Sequence, residues 1–305
     1  MSQIENCEVS NAKQAAEVLT EYDTDYQIKI DMCLRQLLDS KDSWDNVFEI
    51  EDEIKSKMRK MHRLYTTPKN QISFDCLLFS HIHDLFMPMV HQEFKKSDEW
   101  YFNKGLDLAD VTAEQLGANP DYVVPLLAAV VELASLDSHQ SPLEKMNCLS
   151  TTYDLIFAEL KAGIISTISK SSSQEYQIPI INNSDVIPIL ITVIIKSKLI
   201  HLYSNFYYIN TFFEYLNEYN SNFKHVLNEF EVAILKMSGL SKETLKPSTV
   251  DVVENMDLCK FITVASDIRK KIRVNEDKMT PLDNHLYSVT ELIVASTNQN
   301  QLLPH

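Results

Sequence analysis

Gly105, Gly117, Gly163 and Gly239 are the only glycines in a chain of 305 residues. That is about 1%, against roughly 7% in ordinary proteins. Dinucleotide-binding βαβ units, Gly-rich phosphate loops and α/β barrels place glycine wherever the backbone turns tightly or meets a ligand closely. The scarcity argues against all three and favours helices joined by turns that need little glycine.

The hydrophobic pattern agrees. Apolar side chains recur three and four apart along most of the chain. This spacing predicts helices at 25–38, 44–65, 72–94, 98–104, 111–116, 121–136, 142–168, 184–197, 204–216 and 222–237, with two more at 251–273 and 283–295. Ser141-Pro142 reads as the N-cap and first residue of one of them. Gly117-Ala-Asn-Pro120 marks a break, and Gly239 ends a helix. The serine-rich stretch 169–183, carrying Pro179, reads as an exposed, mobile loop. No internal repeat is found.

Charge and cysteine usage narrow the function classes. The formal charge is −15, from 43 acidic against 28 basic residues. A field of that sign repels nucleic acid phosphate and anionic membranes, so no nucleic-acid partner is expected. Cys7, Cys33, Cys76, Cys148 and Cys259 are odd in number and dispersed, without a CxxC pair. They predict neither a disulfide framework nor a zinc knuckle, and fit a reducing compartment. The most apolar run, Val186–Ile195, has ten residues, about 15 Å as a helix against a bilayer core of about 30 Å. No transmembrane segment or signal peptide is therefore expected, and a cytoplasmic location is. The ending Leu302-Leu-Pro-His305 leads us to expect the first part of a longer protein.

His81, His83 and His91 with Asp84 invite a metal reading. On a helix, however, His81 and His83 face different sides and an i,i+4 pair is missing. No metal or cofactor is predicted. GxSxG, HExxH and GxxxxGK[ST] do not occur, which removes the familiar nucleophile, zinc and phosphate-loop signatures. The acids Glu51, Asp52 and Glu53 precede the bases Lys55, Lys57, Arg59, Lys60 and Arg63, an order that complements a helix dipole. At the start of the 184–197 helix, residue chemistry alone makes Ser184 or Asp185 the N-cap and leaves Pro188 in the first turn.

Five blocks then occur in a telling order: Ile82–Leu85 (IHDL), Leu136–Pro142 (LDSHQSP), Lys145–Leu149 (KMNCL), Ser184–Leu190 (SDVIPIL) and Leu202–Ile209 (LYSNFYYI). Together they resemble the vacuolar-protein-sorting-nine (VPS9) domain, the exchange-factor domain for early-endosomal Rab GTPases. The resemblance covers roughly 70–240. It implies an all-α fold in which an N-terminal helical bundle packs on a VPS9-like helical layer. The expected organisation is an N-terminal extension at 1–45, the bundle and VPS9-like domain at 46–240, and a C-terminal helical extension at 241–305.

The family's helix start reads small, Asp, Asp or Glu, two apolar residues, Pro. Val186, Ile187 and Pro188 match it, and Asp185 falls on the second acidic position. Ser184 occupies the first, where the family inserts an aspartate into the nucleotide site. A tyrosine and a threonine three residues later usually help contact the GTPase; with Leu227 on the matching leucine, Asn222 and His225 stand there. Asn205 matches the family's asparagine, and capping or bracing of a helix explains it equally well. The resemblance thus implies an exchange factor for an early-endosomal Rab, peripherally recruited to endosomes, with Asp185 and Ser184 catalytic and Pro188, Asn205, Asn222 and His225 facing the GTPase. The alternatives are a catalytically weak or inactive adaptor of the same fold, and a helical scaffold unrelated to GTPases. Of the aromatics at 203–215, most are expected in the core and two or three on the surface.

Overall fold

The computed structural model describes residues 9–41, 44–122, 124–170, 183–217 and 219–248. Among them are ten α-helices and no strand, so the chain is all-α. The helices expected at 251–273 and 283–295, and the loop at 169–183 from residue 171 to 182, lie outside the described residues. The chain divides into two compact units, each drawn from three separated segments. Among the described residues, one takes 9–102, Leu136–Asn147 and Ile200–Asn228; the other takes Asn103–Ser135, Cys148–Leu199 and 229–248.

In the first unit, α1 (Ala12–Tyr22) precedes any helix that the periodicity predicts. Asn11 caps it by accepting from the N–H of Gln14 at 3.0 Å. α2 (Tyr26–Asp39) and α3 (Val47–His62) bury one stripe each, Ile30, Cys33 and Leu37 on α2 and Ile50, Ile54 and Met58 on α3. α3 begins at an Asn46 cap and ends on Arg59, Lys60 and His62, as the charge order predicts.

α4 (Pro68–Asp107) is a single helix of 40 residues where separate helices at 72–94 and 98–104 are predicted. Pro88 interrupts it without breaking it. Proline removes the N–H that would bond the Asp84 carbonyl, but Pro88 and Asp84 are both exposed and water can serve that carbonyl. Phe79 and Phe86 of α4 pack on Tyr208 of α8 (Leu202–Thr211) and on Phe212, with ring centroids 4.6 to 6.1 Å apart. Phe212 interrupts the helix predicted at 204–216, and α9 (Phe213–Asn217) follows. Phe206, Tyr208 and Phe212 are core, Tyr207, Phe213 and Tyr215 are half-buried, and Tyr203 is 38% exposed, so fewer aromatics are core and fewer are exposed than expected.

α6 (Pro142–Lys170) opens with the expected cap. Ser141 Oγ accepts from the Glu144 N–H at 3.2 Å, and Glu144 accepts from the Ser141 N–H at 3.0 Å, a reciprocal capping box.

The second unit corrects two predicted helices. Residues 111–116 form turns, closed by Gly117 at φ +104°. Thr112 and Gln115 bond each other as a capping pair, but the chain reverses at Gly117 before a second turn can form. The helix predicted at 121–136 shrinks to α5 (Leu127–Ala134). Pro125 explains the late start, because a residue before proline avoids the helical region. Glu159 of α6 caps α5 from outside, accepting from the N–H groups of Ala128 and Ala129 at 2.9 and 3.0 Å.

α5 packs on α7 (Asn183–Ser197), which is buried on every side from Val186 to Ile195. Lys198, at φ +51°, stops α7 in the left-handed conformation usually given to glycine. α10 (Asn222–Gly239) ends at Gly239 as predicted. No single described helix is long and apolar enough to cross a membrane.

Candidate functional site

α7 opens at Asn183, so Ser184 and Asp185 stand inside its first turn and neither is the N-cap that residue chemistry predicts. The Asp185 carboxylate leaves the free N–H groups of its own helix for a distant one. Oδ1 accepts from the Asn119 N–H at 3.1 Å, and the residue is only 8% exposed. Asn119 is carried there by the turn that Gly117 makes possible, directly before Pro120. A carboxylate near a helix N-terminus is favoured by the dipole as well.

Val186, Ile187 and Pro188 are buried in the second unit. Pro188 has no N–H to return to the Ser184 carbonyl, four residues earlier. Asp185 is thus fixed in direction by a rigid apolar helix behind it and one backbone donor before it.

Asn205, Asn222 and His225 belong to the first unit. Asn205 is wholly buried: its Nδ2 donates to Asp137 Oδ1 at 2.5 Å and to the His201 carbonyl at 2.8 Å. It braces α8 against the 3-10 turn Leu136–Ser138, the structural role that the sequence leaves open. Asn222 and His225 are exposed, one turn apart on α10, and the Asn222 N–H donates to Asn220 Oδ1 at 3.0 Å.

Sequence reasoning misses the groups that hold these residues. Asp98 takes the Ser204 N–H at 3.0 Å and its hydroxyl at 2.5 Å, fastening the first turn of α8. Lys145, fully buried, donates to the Leu136 carbonyl at 2.9 Å. Asn119, Asp98 and Glu159 lie 66, 106 and about 30 positions from the groups that they bond, so no local period signals them.

The histidines separate. His81 Nδ1 meets the Leu77 carbonyl at 2.7 Å and His83 Nδ1 the Gln140 carbonyl at 3.0 Å. His91 stacks on His201 with centroids 3.7 Å apart, and burial pushes its pKa down to about 4, with the neighbouring His201 adding to the effect.

A family model described as the Vacuolar sorting protein 9 (VPS9) domain matches residues 126–242, from just before α5 to just past α10. No curated protein matches the chain.

Proposed function

Because this chain carries a VPS9 domain, which marks a guanine nucleotide exchange factor acting on small GTPases in trafficking, we propose that it releases GDP from an early-endosomal Rab of the Rab-five type. The observation that carries this reading is a carboxylate, Asp185, in the first turn of the most apolar helix of the matched span.

A Rab GTPase holds its nucleotide with a phosphate-cradling loop, a lysine and a Mg²⁺ ion. A carboxylate offered by a partner competes for that lysine and repels the phosphate or disturbs the metal shell. The partner then favours the nucleotide-free GTPase, and by linkage weakens nucleotide binding by the same factor. Ser184 brings no charge to this task. Asp185 brings one, on release from the Asn119 N–H, a charge-assisted bond whose net worth is about 1.5–3 kcal/mol. Asn222 and His225 contact the GTPase from the exposed side of α10. Buried Asn205 acts by positioning α8, and Pro188 by shaping the helix start. On this reading the chain works in the cytoplasm, recruited peripherally to endosomal membranes.

Labelled-GDP release from a panel of Rab proteins tests the reading. Asp185→Ala should abolish acceleration and, because the Asn119 N–H loses its acceptor, lower the melting midpoint by several degrees while the fold stays cooperative. Ser184→Asp should raise the rate by restoring the family's charge. Alanine at Asn222 or His225 should weaken GTPase binding while the fold stays intact. A second reading, an inactive adaptor, is favoured by the burial and hydrogen bond of Asp185. Tight Rab binding with no acceleration by any variant would establish it instead.

A further inference from the structure

Asp185, Ile189, Thr192 and Lys196 are spaced four, three and four apart, which sets them in one row along α7. The segment 109–126 runs beside this row and bonds its first member through the Asn119 N–H at 3.1 Å. Between the segment and the row lies a solvent-open cleft of about 410 Å³, most of which is its mouth. Val111, Leu126 and Ile189 make apolar walls, and all three are buried. The polar lining comes from Thr112, Tyr122, Thr192, Asp110 and half-buried Lys196.

Among the described residues Lys196 is an uncompensated cation. Its ammonium has no hydrogen-bond or ion-pair partner among the described residues, although the chain has 43 acids. The acid in the lining, Asp110, is taken by Lys242 at 3.1 Å. Burial pushes the Lys196 pKa down. Apolar walls also lower the local dielectric and strengthen attraction for an opposite charge.

We propose that this cleft binds a small anion, a phosphate or carboxylate group, on Lys196 with Thr192 and Thr112 beside it. The narrow interior excludes a whole apolar metabolite. A bound anion ties α7 to the segment that supplies the Asn119 N–H. Where the exchange reading holds, the cleft is therefore an effector site acting on how firmly Asp185 is held.

The test uses the full chain with sodium phosphate and, separately, sodium acetate, each against sodium chloride at matched ionic strength. Phosphate or acetate should raise the melting midpoint by a few degrees and slow acylation of Lys196 by acetic anhydride several-fold, read on its peptide by mass. Lys196→Met should lose the thermal response while melting normally in chloride, and Lys196→Arg should keep it. An equal response in Lys196→Met, or unprotected Lys196 in the wild type, overturns the site. Protection of the wild-type lysine decides the matter alone where Lys196→Met does not fold. Vesicles carrying a phosphomonoester lipid separate two sources. Pelleting that free phosphate reverses assigns a headgroup; stabilisation by free phosphate without pelleting assigns a soluble anion. These readouts contain no GTPase, so failure of the site and failure of the exchange reading are separate results.

Discussion

Glu132 sits inside α5 at 3% exposure, and burial pushes its pKa up to about 8. In the unfolded chain the same carboxyl ionises near 4.5. The unfolded state therefore loses this proton first as pH rises, and the native state keeps it. Stability from this residue is complete below about pH 4.5 and falls as pH climbs through about 8. At 1.36 kcal/mol per pKa unit the full effect is on the order of 5 kcal/mol. Glu132→Gln keeps the shape and removes the charge. It should raise the melting midpoint at pH 8 and flatten the profile between pH 4.5 and 8, as measured by thermal denaturation across that range. Asp185, also buried, accepts a hydrogen bond from the N–H of Asn119. On the exchange reading, a GTPase must outcompete the one donor that holds this carboxylate.

Among the elements, α6 shows how one small residue sets a helix in place. A Cβ built at Gly163 would lie 2.7 and 2.9 Å from the two methyls of Val124, well inside contact distance. Gly163→Ala should cost about 1–3 kcal/mol, as overpacking does. Adding Val124→Ala should recover part of the loss, a coupling that urea denaturation of the double-mutant cycle measures. The helices themselves are legible in sequence because apolar residues recur at helical spacing and glycine is nearly missing. The errors cluster at punctuation. Residues 95–97 read as a gap between two helices, yet α4 runs through them. Residues 111–116 carry helical spacing, yet Gly117 reverses the chain within one turn. At the candidate site, the pattern of Ser184, Asp185 and Pro188 is visible in the sequence because it is local. Asp98 and Glu159 are not, since what they do is decided by which distant backbone amide the fold brings near, and Asn119 is not, since its own amide meets a carboxylate 66 positions away.

At the level of the molecule, the matched span 126–242 coincides with neither compact unit. It includes α7 but not Asn119, and α8 but not Asp98 or the rings of Phe79 and Phe86. A fragment of 126–242 should therefore lack a cooperative melt, whereas the full chain should melt cooperatively; circular dichroism on both decides it. The charge of −15 adds a long-range field that steers a basic surface toward the chain and weakens with salt.

The interleaving also has a consequence in time. The segment ending at Phe102 leaves the ribosome long before Asn228 completes the same unit. At roughly 5–20 residues per second that delay is about 6–25 s. Throughout it Phe79 and Phe86 await Tyr208 and Phe212, their partners in the finished core. The nascent chain thus carries a bare aromatic surface for seconds, and newly made protein is the form of this molecule most in need of a chaperone.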